Sequence, residues 1–134
     1  MSKVGLYVTG ERDGARAAIK KVDMPQTDGA TIRKMVDGYM EVAARGDIAG
    51  VPCVLICDEE GRVRADRFIN WAAADLATTM TQNPQWLFMG IYGDCVLLRD
   101  GEEDWRAFTG EEVSTVLAQL YDGGFNVLDD ELRV

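Results

Sequence analysis

Short apolar runs separated by turn residues make up most of the chain, and their period switches between two and about 3.6 residues along its length. Val4 to Val8 is an apolar segment of strand length, closed by the turn residues Gly10 to Gly14. From Ala15 to Val22, the positions Ala17, Ile19 and Lys21 alternate with Arg16, Ala18 and Lys20, which predicts a second strand. Asp28 stands where a helix N-cap belongs, ahead of Ile32, Met35, Val36 and Tyr39 at the i, i+3, i+4, i+7 spacing of one helix face. Gly38 is placed to end that helix in the left-handed conformation, with Tyr39 at or beyond its end. Tyr39 to Ala43 reads as a strand, a glycine-flanked loop follows, and Val51 to Cys57 is the next strand. Val51, Cys53 and Leu55 face one way and Val54 and Ile56 the other. Both sets are apolar, which predicts a central strand buried on both faces.

Asp58 to Gly61 predicts a hairpin turn into Arg62-Val63-Arg64, with Gly61 supplying a positive φ. The oxygen ligands of a calcium loop are not spaced along this segment. Asn70 caps a helix that begins at Trp71 and runs through the alanine-rich stretch to Asn83-Pro84. Trp86 to Tyr92 and Cys95 to Leu98 predict two strands around Gly93-Asp94, and Asp100 to Asp104 turns the chain into Trp105 to Phe108. Thr109-Gly110-Glu111-Glu112 has the spacing of a capping box. Behind it, Val113, Val116, Leu117, Leu120 and Tyr121 form an apolar stripe that ends at Gly123-Gly124. The tail from Phe125 to Val134 mixes apolar and acidic residues and either docks as a short strand or frays. Short strands with hairpin-length connections, interrupted by about three helices, predict a single α+β domain over residues 1–134 with a mostly antiparallel sheet. A doubly wound parallel sheet would need a helix after nearly every strand.

Charge adds direction to this outline. The net charge is −9, but residues 1–50 carry eight basic and seven acidic side chains, against six and sixteen in residues 51–134. An acidic second half repels phosphate backbones, so direct nucleic-acid binding is not expected, whereas a partner with a basic face is. No stretch approaches the roughly 20 apolar residues of a membrane span, and the first residues carry no signal-peptide pattern, so a cytoplasmic protein is expected. Nothing in the chain specifies an oligomeric state.

The residue inventory narrows the chemistry. The chain has no His, which removes Ser-His-Asp, Cys-His and HExxH arrangements. Cys53, Cys57 and Cys95 contain no CxxC pair. On one strand, Cys53 and Cys57 would lie about 13 Å apart, beyond bridging distance. Reduced core cysteines are expected, and no metal or other cofactor. No phosphate-binding glycine loop or nucleophile elbow is present, and the paired acids Glu59-Glu60, Glu102-Glu103 and Glu111-Glu112 sit in turns or a first helical turn. Two groups of residues remain as candidates. Glu102, Glu103 and Asp104, with Trp71 at the start of a helix, fit a partner-binding surface. Tyr39 and Glu41, which share a strand face, fit a small-ligand pocket together with Asn70 or Trp71, for instance one for a nucleotide signal.

Several blocks also occur in a familiar order: Val36-Asp37-Gly38-Tyr39-Met40-Glu41-Val42, Val54 to Gly61, Asn70, Gly93 to Leu98, Gly101 to Trp105 and Phe108 to Glu112. Over roughly residues 30–120 the chain resembles domain of unknown function 3846, a family met in phages, actinobacteria and mobile elements. Asp37 stands where that family has a glycine, and Trp71 where an arginine is common. The resemblance implies a shared fold and a gene context but no reaction. Combined with the charge split, it leads to the expectation of a non-enzymatic phage or mobile-element accessory protein. Such a protein would act in the host cytoplasm by binding a host component through its acidic C-terminal half. A small-ligand sponge and a structural or assembly module are the alternatives.

Overall fold

Seven strands and four helices follow one another in the computed structural model, which describes residues 3–11, 16–64, 68–101 and 104–133, with 129–133 by backbone alone. β1 (Val4–Thr9) and β2 (Ala18–Asp23) precede α1 (Gly29–Val36), followed by β3 (Met40–Ile48), β4 (Val51–Asp58), α2 (Trp71–Thr81) and α3 (Gln85–Met89). β5 (Cys95–Asp100), β6 (Trp105–Arg106), α4 (Gly110–Asp122) and β7 (Val127–Arg133) complete the chain. The strands form one sheet in the order β3-β4-β5-β1-β2-β7, with β6 beside the end of β5; only the β2–β7 pair is parallel. This is the α+β domain that the alternation predicts, with one more helix and a longer β3 than expected.

The sheet is covered on both faces. On one side α1 packs Ile32, Met35 and Val36 against Val54, Ile56, Val96 and Leu98. On the other side α2 and α4 pack Leu76, Ala77, Val116 and Leu120 against Leu6, Val8, Leu55 and Leu97. β4 therefore buries Cys53, Val54, Leu55 and Ile56 completely, as expected of a strand apolar on both faces. Each such aliphatic side chain contributes about 1.5–3 kcal/mol relative to exposure.

Local chemistry explains where the elements begin and end. Asp28 caps α1 by accepting from the Thr31 N–H, and Asn70 caps α2 by accepting from the Ala73 N–H. α4 has the full capping box, with Thr109 and Glu112 exchanging side-chain and main-chain bonds. Arg106, the Thr109 N–H and Arg99 also bond to the Glu112 carboxylate, and these contacts lower its pKa from 4.5 to about 2. The folded carboxyl is thus the stronger acid, so its stabilisation is complete above pH 4.5 and is lost as pH falls toward 2. Acid titration of unfolding should therefore show a decline in that window that is shallower in Glu112→Gln.

Four expectations need correction. α1 ends at Asp37, the left-handed residue at φ 56, and not at Gly38. Glycine is required at position 38 for a different reason: a Cβ there would sit 2.5 Å from Cγ of the Asp58 carboxyl. The glycine-flanked loop after Ala43 is instead continuous β3, and the reversal is a two-residue turn with both Ala49 (φ 51) and Gly50 (φ 82) left-handed, as a type I′ hairpin requires. Arg62 to Arg64 is turn and coil without strand pairing, and Gly61 has no positive φ. Trp86 to Tyr92 is not a strand. It is the short helix α3 followed by an isolated bridge between Tyr92 and Ile69, because an unbroken apolar run carries no period to separate strand from helix. The tail docks, with β7 lying parallel to β2.

Candidate functional site

At the β3–β4 end of the sheet, a cleft of about 370 Å³ opens between the strands and α3. Three stretches of chain build it. β3 contributes Glu41, and the end of β4 and its following turn contribute Cys57, Asp58, Glu59 and Arg62. α3 and the segment after it contribute Trp86, Met89 and Tyr92.

Each wall is held by identifiable bonds. Glu41 is opposite Cys57 in the β3–β4 register, so the two side chains share the face that looks into the cleft. The turn after β4 is pinned by Asp58, whose buried carboxylate accepts from the Glu60 N–H at 3.0 Å and from the Arg64 guanidinium at 3.1 Å. Arg64 also donates to the Asp37 carbonyl at 2.6 Å, tying the turn to the end of α1. Gly61 lets this turn lie against the main chain of Tyr92, where a Cβ would meet the Tyr92 carbonyl oxygen at 2.9 Å. Arg62 donates to the Gly90 carbonyl at 3.1 Å, joining the turn to the segment behind α3.

Asn70 holds that segment from the other side. Its amide nitrogen donates to the Val8 and Gly93 carbonyls, both at 2.9 Å, and its backbone N–H donates to the Ile91 carbonyl at 2.6 Å. With its oxygen capping α2, the side chain is wholly buried and acts as a positioning group behind the cleft wall.

The cleft is lined by three carboxylates, Glu41, Asp58 and Glu59, and by one guanidinium, Arg62. Glu41 and Glu59 have no ion pair among the described residues, whereas Asp58 is engaged by Arg64, and Arg62 donates to a main-chain carbonyl. Unpaired carboxylates beside the indole of Trp86 and the ring of Tyr92 form the combination that attracts an ammonium or guanidinium carried on an apolar body. Beyond the rim, α3 leaves Leu87, Phe88 and Met89 exposed, Phe88 to 86%. The Cys57 thiol in the wall is pushed up to about 12, first by burial and then by the Glu41 and Asp58 carboxylates, so it stays protonated and is a poor nucleophile at neutral pH. Two further cavities, of about 360 and 230 Å³, do not combine these features. In the first, Arg106 is already committed to Glu112; in the second, Asp94 accepts from Tyr7 and the Gly10 N–H. Among the described residues no group of three or more His, Cys, Asp or Glu is arranged to hold a metal ion, and no helix is long and apolar enough to cross a membrane.

Of the ligand residues expected from sequence, Glu41 lines the cleft, Tyr39 is 64% exposed next to the turn through its carbonyl bond to the Glu59 N–H, and Asn70 is the buried support just described. Trp71, the first residue of α2, is 50% exposed. Glu102 and Glu103 lie outside the described residues, and Asp104 is exposed and accepts from the Trp105 N–H. Trp86, Tyr92 and Glu59 were not among the sequence candidates. Comparison with protein-family models, curated proteins and solved structures finds no match.

Proposed function

We propose that this chain is a non-enzymatic binding protein whose cleft at the β3–β4 end takes a cationic side chain from a partner with a basic face. The observation that carries this reading is the two carboxylates without an ion pair among the described residues, Glu41 and Glu59, which outnumber the one guanidinium, Arg62, in a cavity shared with Trp86 and Tyr92. A guanidinium on an aliphatic stem satisfies both features, since the charge meets the carboxylates and the stem or an adjoining apolar residue lies on the aromatic wall and the exposed α3 residues. The protonated Cys57 thiol supports binding over covalent catalysis. In the phage or mobile-element setting that the family resemblance implies, the partner is a host protein.

Calorimetry with the blocked dipeptide phenylalanyl-arginine amide, and with its citrulline counterpart of equal shape and no charge, tests the reading. The expected result is saturable binding of the arginine peptide, at least tenfold weaker binding of the citrulline peptide, and a similar loss in a Glu41→Gln, Glu59→Gln double variant. Equal affinity for the two peptides would refute a cation site.

The acidic C-terminal surface is a second reading, favoured by the exposure of Asp104, Glu111 and Asp122 without ion pairs among the described residues. Several other acids of that half are engaged internally, including Asp94, Asp100 and Glu112. On this reading, reversing Glu102, Glu103 and Asp104 to lysine weakens partner capture and its salt dependence, while on the cleft reading the dipeptide affinity stays unchanged.

A further inference from the structure

The β4–β5 register runs without a shift from Cys53 opposite Arg99 to Ile56 opposite Val96. The paired ladder ends there, and the same register continued by one residue would set Cys57 opposite Cys95. The neighbouring pairs agree, since Glu41 is opposite Cys57 on one side and Val8 is opposite Cys95 on the other. On that continued register Glu41, Cys57, Cys95 and Val8 form one row across the sheet, on the face covered by α2. Opposed residues on antiparallel strands have Cα atoms about 4.5–5.5 Å apart, inside the 4.4–6.8 Å range of a disulfide. Both thiols are free, and Cys53, at the other end of β4, has Arg99 opposite it in place of a thiol.

We infer that Cys57 and Cys95 form a dithiol modification site for small-molecule disulfides, at which oxidation closes an intramolecular bridge between β4 and β5. Cys57 lines the cleft and is half-buried, while Cys95 is fully buried behind it, so the order of events is set by access. The Cys57 thiolate attacks one sulfur of the incoming disulfide and expels the other half as a thiolate, which takes up a proton. The Cys95 thiolate then attacks the Cys57 sulfur of this mixed disulfide and expels the second half. Two protein thiols are oxidised, one reagent disulfide is reduced to two thiols, and both protein protons leave with the products. Burial and the nearby Glu41 and Asp58 carboxylates keep Cys57 protonated, which slows the attack at neutral pH. The bridge closes a loop over residues 58–94, which carries the turn and α3 that build the cleft, and so fixes both ends of that segment.

The test is incubation of the native chain with 2-hydroxyethyl disulfide at pH 8, followed by non-reducing mass spectrometry and thermal unfolding. The expected product is a monomer lighter by about 2 Da, with Cys57 and Cys95 in one linked peptide pair and one thiol of the original three still free in denaturant. Its thermal midpoint should be higher by several degrees and return to the starting value after reduction. Cys53→Ala should behave identically, and Cys95→Ser should stop at a single adduct on Cys57. A bridge that includes Cys53, a lasting adduct on Cys57 of the unmutated chain, linked dimers, a lowered midpoint, or no reaction in the native state would each overturn the inference. If a serine variant does not fold, the peptide map of the unmutated chain decides alone.

Discussion

Asn70→Ala is expected to lower the unfolding free energy by about 3 kcal/mol. The loss of the α2 cap costs about 1 kcal/mol. The Val8 and Gly93 carbonyls, which now accept from the buried amide, lose those bonds, at about 1–3 kcal/mol for each one that water does not satisfy. Urea denaturation of both proteins checks this, with the midpoint falling and the slope unchanged. A loss below about 1 kcal/mol would mean that the amide is not the link between β1, α2 and the segment carrying Ile91 and Tyr92. The consequence reaches the cleft, because the lost bond to the Gly93 carbonyl holds the residue that follows Tyr92 in the cleft wall.

Gly46→Val is expected to cost at least as much, for a steric reason. A Cβ at position 46 would stand 2.6 Å from the Met80 carbonyl carbon, against backbone of α2 that no rotamer change can move. Helix α2 must shift off β3, and overpacking of this kind costs about 1–3 kcal/mol or more. Gly50→Ala is the matched control. Position 50 has φ 82 with nothing within 4 Å of a Cβ, so only the left-handed backbone penalty of about 1 kcal/mol applies. Thermal unfolding of the two variants should rank Gly46→Val well below Gly50→Ala. The reverse order would mean that α2 does not lie on β3 as described.

The same glycine shows why part of the fold was readable from sequence and part was not. Thr109 with Glu112, Asp28 with Thr31, and the two-faced apolar run of β4 are local signals, and the elements they predict are present. Gly46 looks like a loop residue until α2 is seen resting on it, and Gly38 like a helix terminator until the Asp58 carboxyl is seen beside it. Both are glycines of close approach, a requirement set by residues distant in sequence. Tertiary context also overrode the reading of Trp86 to Met89, whose apolar side chains are mostly exposed beside the cleft in place of alternating across a sheet. Glu41 could be singled out as an acid on a strand face, but Glu59, Trp86 and Tyr92 join it only through the turn after β4 and the path of α3. The proposed facing of Cys57 and Cys95 is likewise invisible in spacing, and is reached only by continuing the β4–β5 register one residue beyond its last pair.

The central claim is that the cleft, and not the acidic C-terminal surface, receives the positive charge. Amide chemical-shift mapping of the isotopically labelled chain during titration with phenylalanyl-arginine amide tests it most directly. The account predicts saturating shifts concentrated at Glu41, at residues 57–62 and at residues 85–92, with the citrulline peptide leaving them almost unmoved. Shifts centred on residues 104–112, or no saturable shift at millimolar peptide, would contradict it.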